Sequence, residues 1–258
     1  LTIPQLEKII GTLRQLLPKA LVLVDNCYGE FVETKEPTAI GADLAVGSLI
    51  KNPGGGLAGS GGYLAGKEEI IRKVSSRLTA PGLYGNLGAM AFKRSLFQGL
   101  FLAPNLVGNA LKNAVFAAAL FEKMGYRVKP RFEQSRGDIV QAIILEDQAR
   151  LEVFCRAIQA ASPVEHYVTP VPATPPGYDD PIIMAAGTFT QGATSELSAD
   201  GPLRPPDVMT VGPGVVQRRV EAARARILAL LATPVTDATR IDFDATGIFA
   251  IGDAFSPD

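Results

Sequence analysis

The sequence predicts an α/β domain followed by a smaller α+β domain. Apolar residues recur at helical spacing over residues 4–17, and a continuously apolar run over residues 20–25 then ends in Asp25. Such a run is typical of a parallel strand that is buried on both faces, and the carboxyl end of such a strand opens on a site. Beyond residue 126 the predicted strands and helices follow an irregular order, which indicates an α+β domain.

The first predicted domain covers residues 1–103. After the helix over 4–17 and the strand over 20–25, a second strand is predicted over 44–48, and it leads into the glycine-rich segment KNPGGGLAGSGG, residues 51–62. A third short strand over 63–65 and a helix over 68–77 follow. The alternation of strands and helices predicts a sheet covered by helices.

A long apolar helix over residues 104–126, closed by Gly125, is predicted to link the two domains. The small domain, residues 127–232, is predicted to contain a strand over 139–145, a helix over 147–161, extended segments over 164–171 and 182–186, and a final helix over 215–231. Residues 233–258 form a tail to which the sequence pattern assigns no role.

The composition excludes several functional classes. Lys plus Arg total 25 against 26 Asp plus Glu, so no overall charge attracts nucleic acid or an anionic membrane. No apolar run approaches the roughly 20 residues that a membrane-spanning helix needs. The two cysteines form no C-x-x-C pair, which favours a reducing compartment and a cytoplasmic location. Since the chain starts at Leu1 and opens directly into a helix, we interpret its start as a cut end.

Polar side chains follow two neighbouring predicted strands. Asp25 and Tyr28 come after the first, and Ser48 and Lys51 come after the second, so we expect all four to line one crevice. Burial disfavours an ammonium group, which predicts a lowered pKa for Lys51 and a neutral amine that condenses with an aldehyde. Two alternatives stay open at this point: a solvated surface position for Lys51 and a turn-capping role for Asp25.

Two other kinds of site are disfavoured by the sequence. In a Walker loop the lysine follows the glycines, whereas Lys51 precedes them, so the glycine-rich segment is not typical of a nucleotide site. His166 is the only histidine, which excludes a multi-histidine metal centre and makes a Ser-His-Asp hydrolase a poor match. No metal is therefore expected.

Three segments carry a family resemblance. VDNCYGEFVE (residues 24–33), GADLAVGSLIKNPGGGLAGSGGYLAG (41–66) and GTFTQGATSELSADGPLRPP (187–206) resemble the methionine gamma-lyase family, also labelled aluminium-resistance proteins. That family is similar to the cystathionine synthase and lyase group of fold-type I pyridoxal-phosphate enzymes. The resemblance covers nearly all of residues 1–231. It implies the C-terminal half of a fold-type I large domain followed by the α+β small domain.

The resemblance also implies roles for the crevice residues. Lys51 holds pyridoxal 5'-phosphate as a Schiff base, and Asp25 faces the ring nitrogen, where an anion keeps the nitrogen protonated. Tyr28 reaches the ring oxygen, and Ser48 donates to the phosphate. Apart from the resemblance, Asn52 beside Lys51 is expected to help to orient the cofactor loop, and the polarity of the loop alone explains it equally well. Lys51, Asp25 and Tyr28 are the expected catalytic residues.

The implied activity is elimination from a sulfur-containing amino acid, which gives a 2-oxo acid, ammonia and a thiol. Arg204 is expected to bind the substrate carboxylate, because a guanidinium group matches a carboxylate bidentately. The resemblance implies a homo-oligomer, either a dimer or a tetramer. It also implies a preceding half domain, with a phosphate loop and a stacking aromatic ring, that this chain lacks. Aminotransfer, side-chain replacement and a non-catalytic fragment stay open as alternatives.

Overall fold

The structure, a computed structural model, describes residues 1–78, 92–205 and 208–212. The chain forms two compact units. The first is built from three separate stretches, Leu1–Gly108, Ser135–Ile139 and Thr190–Ser195. The second contains Asn109–Gln134, Val140–Phe189 and the described residues from Glu196 onward. Within the described ranges, no helix has both the length and the apolar character needed to cross a membrane.

The first unit contains a three-stranded sheet. Strand β1 (Leu23–Asp25) pairs in parallel with β2 (Leu44–Ser48), and β2 pairs antiparallel with β3 (Gly62–Gly66). Asp25 lies opposite Val46 in the register, and Ser48 lies opposite Gly62. The carboxyl ends of β1 and β2 therefore lie side by side, as expected for a parallel pair.

One helix precedes these strands in the sequence, and two helices follow them. Helix α1 (Ile3–Leu16) begins after Thr2, whose backbone N–H donates to Gln5 Oε1 at 2.9 Å. Its buried Ile10 packs with three apolar residues of the first unit, Val22, Ile40 and Ala42. Helix α2 spans Glu68–Leu78, and the long helix α3 spans Lys93–Lys123.

The second unit contains a five-stranded antiparallel sheet and a helix. The strands are β4 (Arg127–Lys129), β5 (Gln141–Ile144), β6 (Ile182–Ala185), β7 (Ser198–Pro202) and β8 (Val208–Gly212), in the spatial order β4-β5-β8-β7-β6. Helix α4 (Gln148–Ala161) begins after Asp147, whose Oδ1 accepts from the Ala149 N–H at 2.8 Å. Phe154 on α4 is 1% exposed and packs at 5.6 Å between ring centroids from Phe121.

Several predicted elements differ from the observed ones. The helix predicted over 104–126 begins eleven residues earlier, at Lys93, and runs through Pro104. The extended segment predicted over 164–171 is wrong: Glu165 has a φ of +53°, and its carbonyl accepts from the Val168 N–H at 3.0 Å, which closes a turn. Strands β4, β7 and β8 were not predicted. The helix predicted over 215–231 and the tail over 233–258 lie outside the described residues.

The predicted domain boundaries are not the borders of the two units. The first unit ends its main stretch at Gly108, inside α3, and takes two further stretches from the region predicted as the small domain. The division into residues 1–103, 104–126, 127–232 and 233–258 stays a prediction.

Candidate active site

Asp25 and Ser48 lie on one face of the sheet, where β1 and β2 end. Opposed residues of paired strands point to the same face, and residues two apart along a strand share a face. Asp25 is opposed to Val46, which shares its face with Ser48. The peptide that follows β1 stays attached to β2, because the Asn26 N–H donates to the Val46 carbonyl at 2.8 Å. Lys51 and Tyr28 lie in the loops that leave these two strand ends.

Asp25 is an exposed carboxylate that shapes its own loop. Its Oδ1 accepts from the Cys27 N–H at 3.0 Å. Hydrogen bonds from the Cys27 backbone and thiol lower the pKa of Asp25, and nearby Lys51 lowers it further against the effect of burial. The side chain is therefore an anion at neutral pH. Asp25 therefore makes the turn-capping contact that the sequence left open as an alternative, and it also places a negative charge near Lys51.

Tyr28 adopts a left-handed backbone conformation that few non-glycine residues adopt, with a φ of +77°. Two donors hold its carbonyl: Asn52 Nδ2 at 3.0 Å and the Ile139 N–H at 3.2 Å. Its hydroxyl oxygen accepts from Thr194 Oγ1 at 3.4 Å. Hydrogen bonds therefore hold Tyr28 both at its main-chain carbonyl and at the hydroxyl end of its side chain.

The Lys51 ammonium lies over the Tyr28 ring, with Nζ at 4.4 Å from the ring centroid. This is cation–π geometry. Burial disfavours the charged form, but the adjacent Tyr28 and Cys27 side chains favour it more strongly, and the pKa of Lys51 is raised. The lowered pKa expected from the sequence is therefore wrong. Burial alone predicted the wrong direction because the loop after β1 supplies the Tyr28 and Cys27 side chains, whose hydrogen bonds and electrostatic interactions favour the ammonium.

Lys51 is half-buried and follows a tight turn. Its backbone N–H donates to the Ser48 carbonyl at 3.3 Å, and its own carbonyl accepts from Gly54 at 3.0 Å. Ser48 Oγ accepts from the Ile50 N–H at 3.4 Å. Because this contact uses an oxygen lone pair, the hydroxyl proton of Ser48 can donate to an anion.

Asn52 is fully buried and connects the two loops. Its Nδ2 donates to the carbonyls of Tyr28 at 3.0 Å and Glu30 at 3.1 Å. Its Oδ1 finds no partner among the described residues. Asn52 therefore positions the Tyr28 loop beside Lys51, and direct contact between Asn52 and a cofactor stays a prediction.

A buried carboxyl on the opposite face of the sheet was missed at the sequence level. Glu30 is 4% exposed and accepts from the Tyr63 hydroxyl at 2.9 Å. Burial raises the pKa of Glu30 to about 7, and nearby Glu36 adds to the shift. Gly47, which lies opposite Tyr63, leaves the space that this pair fills. The signal in the sequence was the GE pair directly after Tyr28, which no short motif distinguishes from a surface turn.

Arg204 lies in the second unit and is exposed. Its Nη1 donates to Asp180 Oδ2 at 3.1 Å, which makes a surface ion pair. Its role with a substrate carboxylate stays a prediction. Asp25, Tyr28, Ser48, Lys51 and Asn52 all belong to the first unit.

The fold of the chain is similar to that of a class of proteins, the fold-type I pyridoxal-phosphate enzymes. A proposed O-acetylhomoserine (thiol)-lyase from Campylobacter jejuni, whose structure contains a pyridoxyl-lysine group, has this fold. It matches with a TM-score of 0.53 at 14% identity over 88% of this chain and 60% of its own. At that identity the likeness concerns the fold alone.

The chain belongs to the methionine gamma-lyase family, whose model matches residues 1–232. A carbon-sulfur lyase involved in aluminum resistance from Clostridium novyi is 44% identical over 90% of this chain and 54% of its own, with a TM-score of 0.78. A proposed cystathionine beta-lyase involved in aluminum resistance from Clostridium acetobutylicum is 44% identical, with a TM-score of 0.82, over 90% of this chain and 54% of its own.

A curated relative, the uncharacterized protein YnbB of Bacillus subtilis (strain 168), is 49% identical over 86% of this chain and 53% of its own length. The chain thus spans about half the length of these relatives.

Proposed function

We propose that this protein is a pyridoxal-phosphate-dependent carbon–sulfur lyase that acts on a sulfur-containing amino acid. The observation that carries the proposal is the Lys51 amine, 4.4 Å from the Tyr28 ring centroid, in a loop beside the anionic Asp25. The names of the carbon-sulfur lyase from Clostridium novyi and of the proposed lyase from Clostridium acetobutylicum support the reaction class. Within the fold, we propose that the chain supplies the C-terminal half of the large domain and an α+β small domain.

The side chains at the strand ends fit pyridoxal phosphate chemically. The cofactor offers an aldehyde, a basic ring nitrogen, a phenolic oxygen and a phosphate. The site offers an amine in Lys51, a carboxylate in Asp25, a phenol in Tyr28 and a hydroxyl with a free proton in Ser48. In this assignment Lys51 binds the aldehyde, Asp25 the ring nitrogen, Tyr28 the phenolic oxygen and Ser48 the phosphate. When bound, the cofactor supplies an electron sink for a carbanion.

The protein's own residues would move the protons. Lys51 Nζ would take the proton from the substrate α-carbon as a general base. The raised pKa of Lys51 lets it hold that proton and deliver it to a later position on the substrate. Tyr28 keeps Nζ directed over its ring through the cation–π contact. Asp25 stays ionised throughout, because its pKa is lowered.

Covalent labelling tests the assignment of Lys51. Pyridoxal phosphate is added to the purified chain, the visible absorption band is recorded, and borohydride reduction is followed by peptide mapping. We expect the label on Lys51, none at that position in Lys51→Ala, and wild-type labelling in Lys8→Ala, which removes an exposed lysine from α1. The full-length Bacillus subtilis relative serves as positive control. Label on that relative, with none on Lys51 here, would contradict the proposal for this chain.

Product analysis tests the reaction type. Elimination gives a 2-oxo acid, ammonia and a thiol in equal amounts from methionine or cystathionine. Aminotransfer gives a 2-oxo acid without a thiol, and side-chain replacement gives a new amino acid without ammonia. We expect Asp25→Ala to keep the Lys51 label but to lose at least tenfold in turnover, since the ring nitrogen then lacks its anion. Equal turnover of Asp25→Ala and wild type would contradict the role of Asp25.

Two further parts of the proposal concern the whole protein. We propose a homo-oligomer, a dimer or a tetramer, which analytical ultracentrifugation of the purified protein tests directly. We also propose a cytoplasmic location, supported by two cysteines that are both unpaired.

A further inference from the structure

Tyr28 is held at its hydroxyl end by a residue that is distant in the sequence. Thr194 Oγ1 donates to the Tyr28 hydroxyl oxygen at 3.4 Å, across 166 positions of the chain. The Lys51 ammonium lies over the face of the same ring. Since Asn52 and Ile139 already fix the carbonyl of Tyr28, Thr194 is the contact that restrains the free end of the side chain.

The segment that carries Thr194 is itself well anchored in the first unit. Its Ala193 and Ser195 are 1% and 0% exposed. Two backbone bonds of 3.0 Å, from Ala193 to the Thr190 carbonyl and from Thr194 to the Gly192 carbonyl, fold it into a tight turn. Gly192 has a φ of +80°, and a Cβ there would lie 3.3 Å from Ile50 Cδ1. The turn therefore abuts the residue that precedes Lys51.

We infer that Thr194 is a positioning residue, whose hydroxyl keeps the Tyr28 ring beneath the Lys51 amine. The inference rests on the proposed function only in taking Lys51 as the reactive amine. A Tyr28 side chain without this restraint rotates more freely about its χ angles and spends less time under Nζ. Burial of Lys51 then outweighs the stabilising contact, and the amine gives up its proton more readily.

Competitive labelling with trace acetic anhydride measures this effect without any cofactor. Acetylation of Lys51 is compared with that of exposed Lys129 over a range of pH in wild type, Thr194→Val and Thr194→Ser. We expect Thr194→Val to raise relative labelling of Lys51 about threefold at moderately alkaline pH, equivalent to roughly half a pKa unit. Thr194→Ser keeps the hydroxyl and should match wild type. Thr12→Val removes a hydroxyl that bonds within α1 and is the matched control.

A double-mutant comparison separates positioning from a general structural role. Tyr28→Phe should raise Lys51 labelling at least as much as Thr194→Val, and the double variant should not exceed Tyr28→Phe. Full additivity, or no change in Thr194→Val, would overturn the inference. If Thr194→Val fails to fold, Thr194→Ala gives the same comparison with a smaller side chain. Because no cofactor is added, this result stands or falls separately from the Lys51 adduct experiment.

Discussion

Removing the Asn52 side chain should destabilise the first unit by a predictable amount. Asn52 is fully buried, and its Nδ2 donates at 3.0 Å to the Tyr28 carbonyl and at 3.1 Å to the Glu30 carbonyl. In Asn52→Ala both bonds are lost, at about 1 kcal/mol each. Tyr28 keeps the Ile139 N–H as a donor, but the Glu30 carbonyl is left without one, which costs roughly another 1–2 kcal/mol.

One contribution has the opposite sign. Asn52 Oδ1 has no partner among the described residues, so the wild type already bears the cost of a buried, unpaired acceptor. Alanine removes that acceptor and recovers about 1–2 kcal/mol. The cost of the unpaired Glu30 carbonyl and the gain from removing Asn52 Oδ1 nearly cancel. The net loss in the free energy of unfolding is therefore about 2 kcal/mol, which comes from the two lost hydrogen bonds.

Asn52→Asp keeps nearly the same side-chain shape but should destabilise the protein more than Asn52→Ala does. It keeps the unpaired acceptor and replaces the amide donor with a second acceptor that faces two carbonyls. We expect a loss of roughly 4 kcal/mol, because neither hydrogen bond forms and a carboxyl group must be buried.

Urea unfolding followed by circular dichroism measures both variants. Gln148→Ala is the control, because its exposed amide makes one bond of 3.2 Å to the Leu203 carbonyl and its loss should change stability by about 0.5 kcal/mol or less. If both Asn52 variants stay within that margin, or if aspartate is tolerated better than alanine, the reasoning about Asn52 is refuted.

Three further predictions concern stability. Burial raises the pKa of Glu30 from 4.5 to about 7, so the folded state binds the proton more tightly than the unfolded state and stability falls as the pH rises from about 5 to about 8. Glu30→Gln should remove about 2–3 kcal/mol of this difference in the free energy of unfolding. Gly47→Ala should cost about 1–3 kcal/mol in urea unfolding, since its Cβ would overlap the Tyr63 ring, and wild-type stability would contradict that packing. Phe154→Ala should cost about 3–5 kcal/mol by the same assay, because the ring is 1% exposed in the core of the second unit.

Elements with strong local patterns could be predicted from the sequence. Strand β2, Leu44–Ser48, has the predicted bounds, and α1, α2 and α4 lie within one or two residues of theirs. Helix α3 was predicted to begin at Pro104, from a long apolar stretch over residues 104–126. The structure continues the helix through Pro104 instead, and Ala103 and Val107 on either side are both fully buried. The burial of these two side chains offsets the lost backbone hydrogen bond.

Strand β7 could not be predicted because its sequence, SADGP, contains three residue types that strands usually avoid. It forms because β6 and β8 pair with it on both sides, and this pairing outweighs the low strand propensity of its residues. At the site, local spacing placed Asp25, Ser48 and Lys51 at adjoining strand ends correctly. It gave no indication of Thr194, whose importance lies in a contact with Tyr28 and not in any local pattern.

Because the first unit is assembled from three separate stretches, no uninterrupted segment of the sequence contains this unit alone. A truncation after Gly108 would keep Lys51, Tyr28 and Asp25, but would discard Ile139 and Thr194. A chimera of two relatives joined after Gly108 would therefore take Lys51 and Tyr28 from one parent. It would take Ile139 and Thr194, which contact Tyr28, from the other parent. The site should be inherited as one block that includes residues 190–195, and chimeras that divide this block are expected to lose function even when both parents are active.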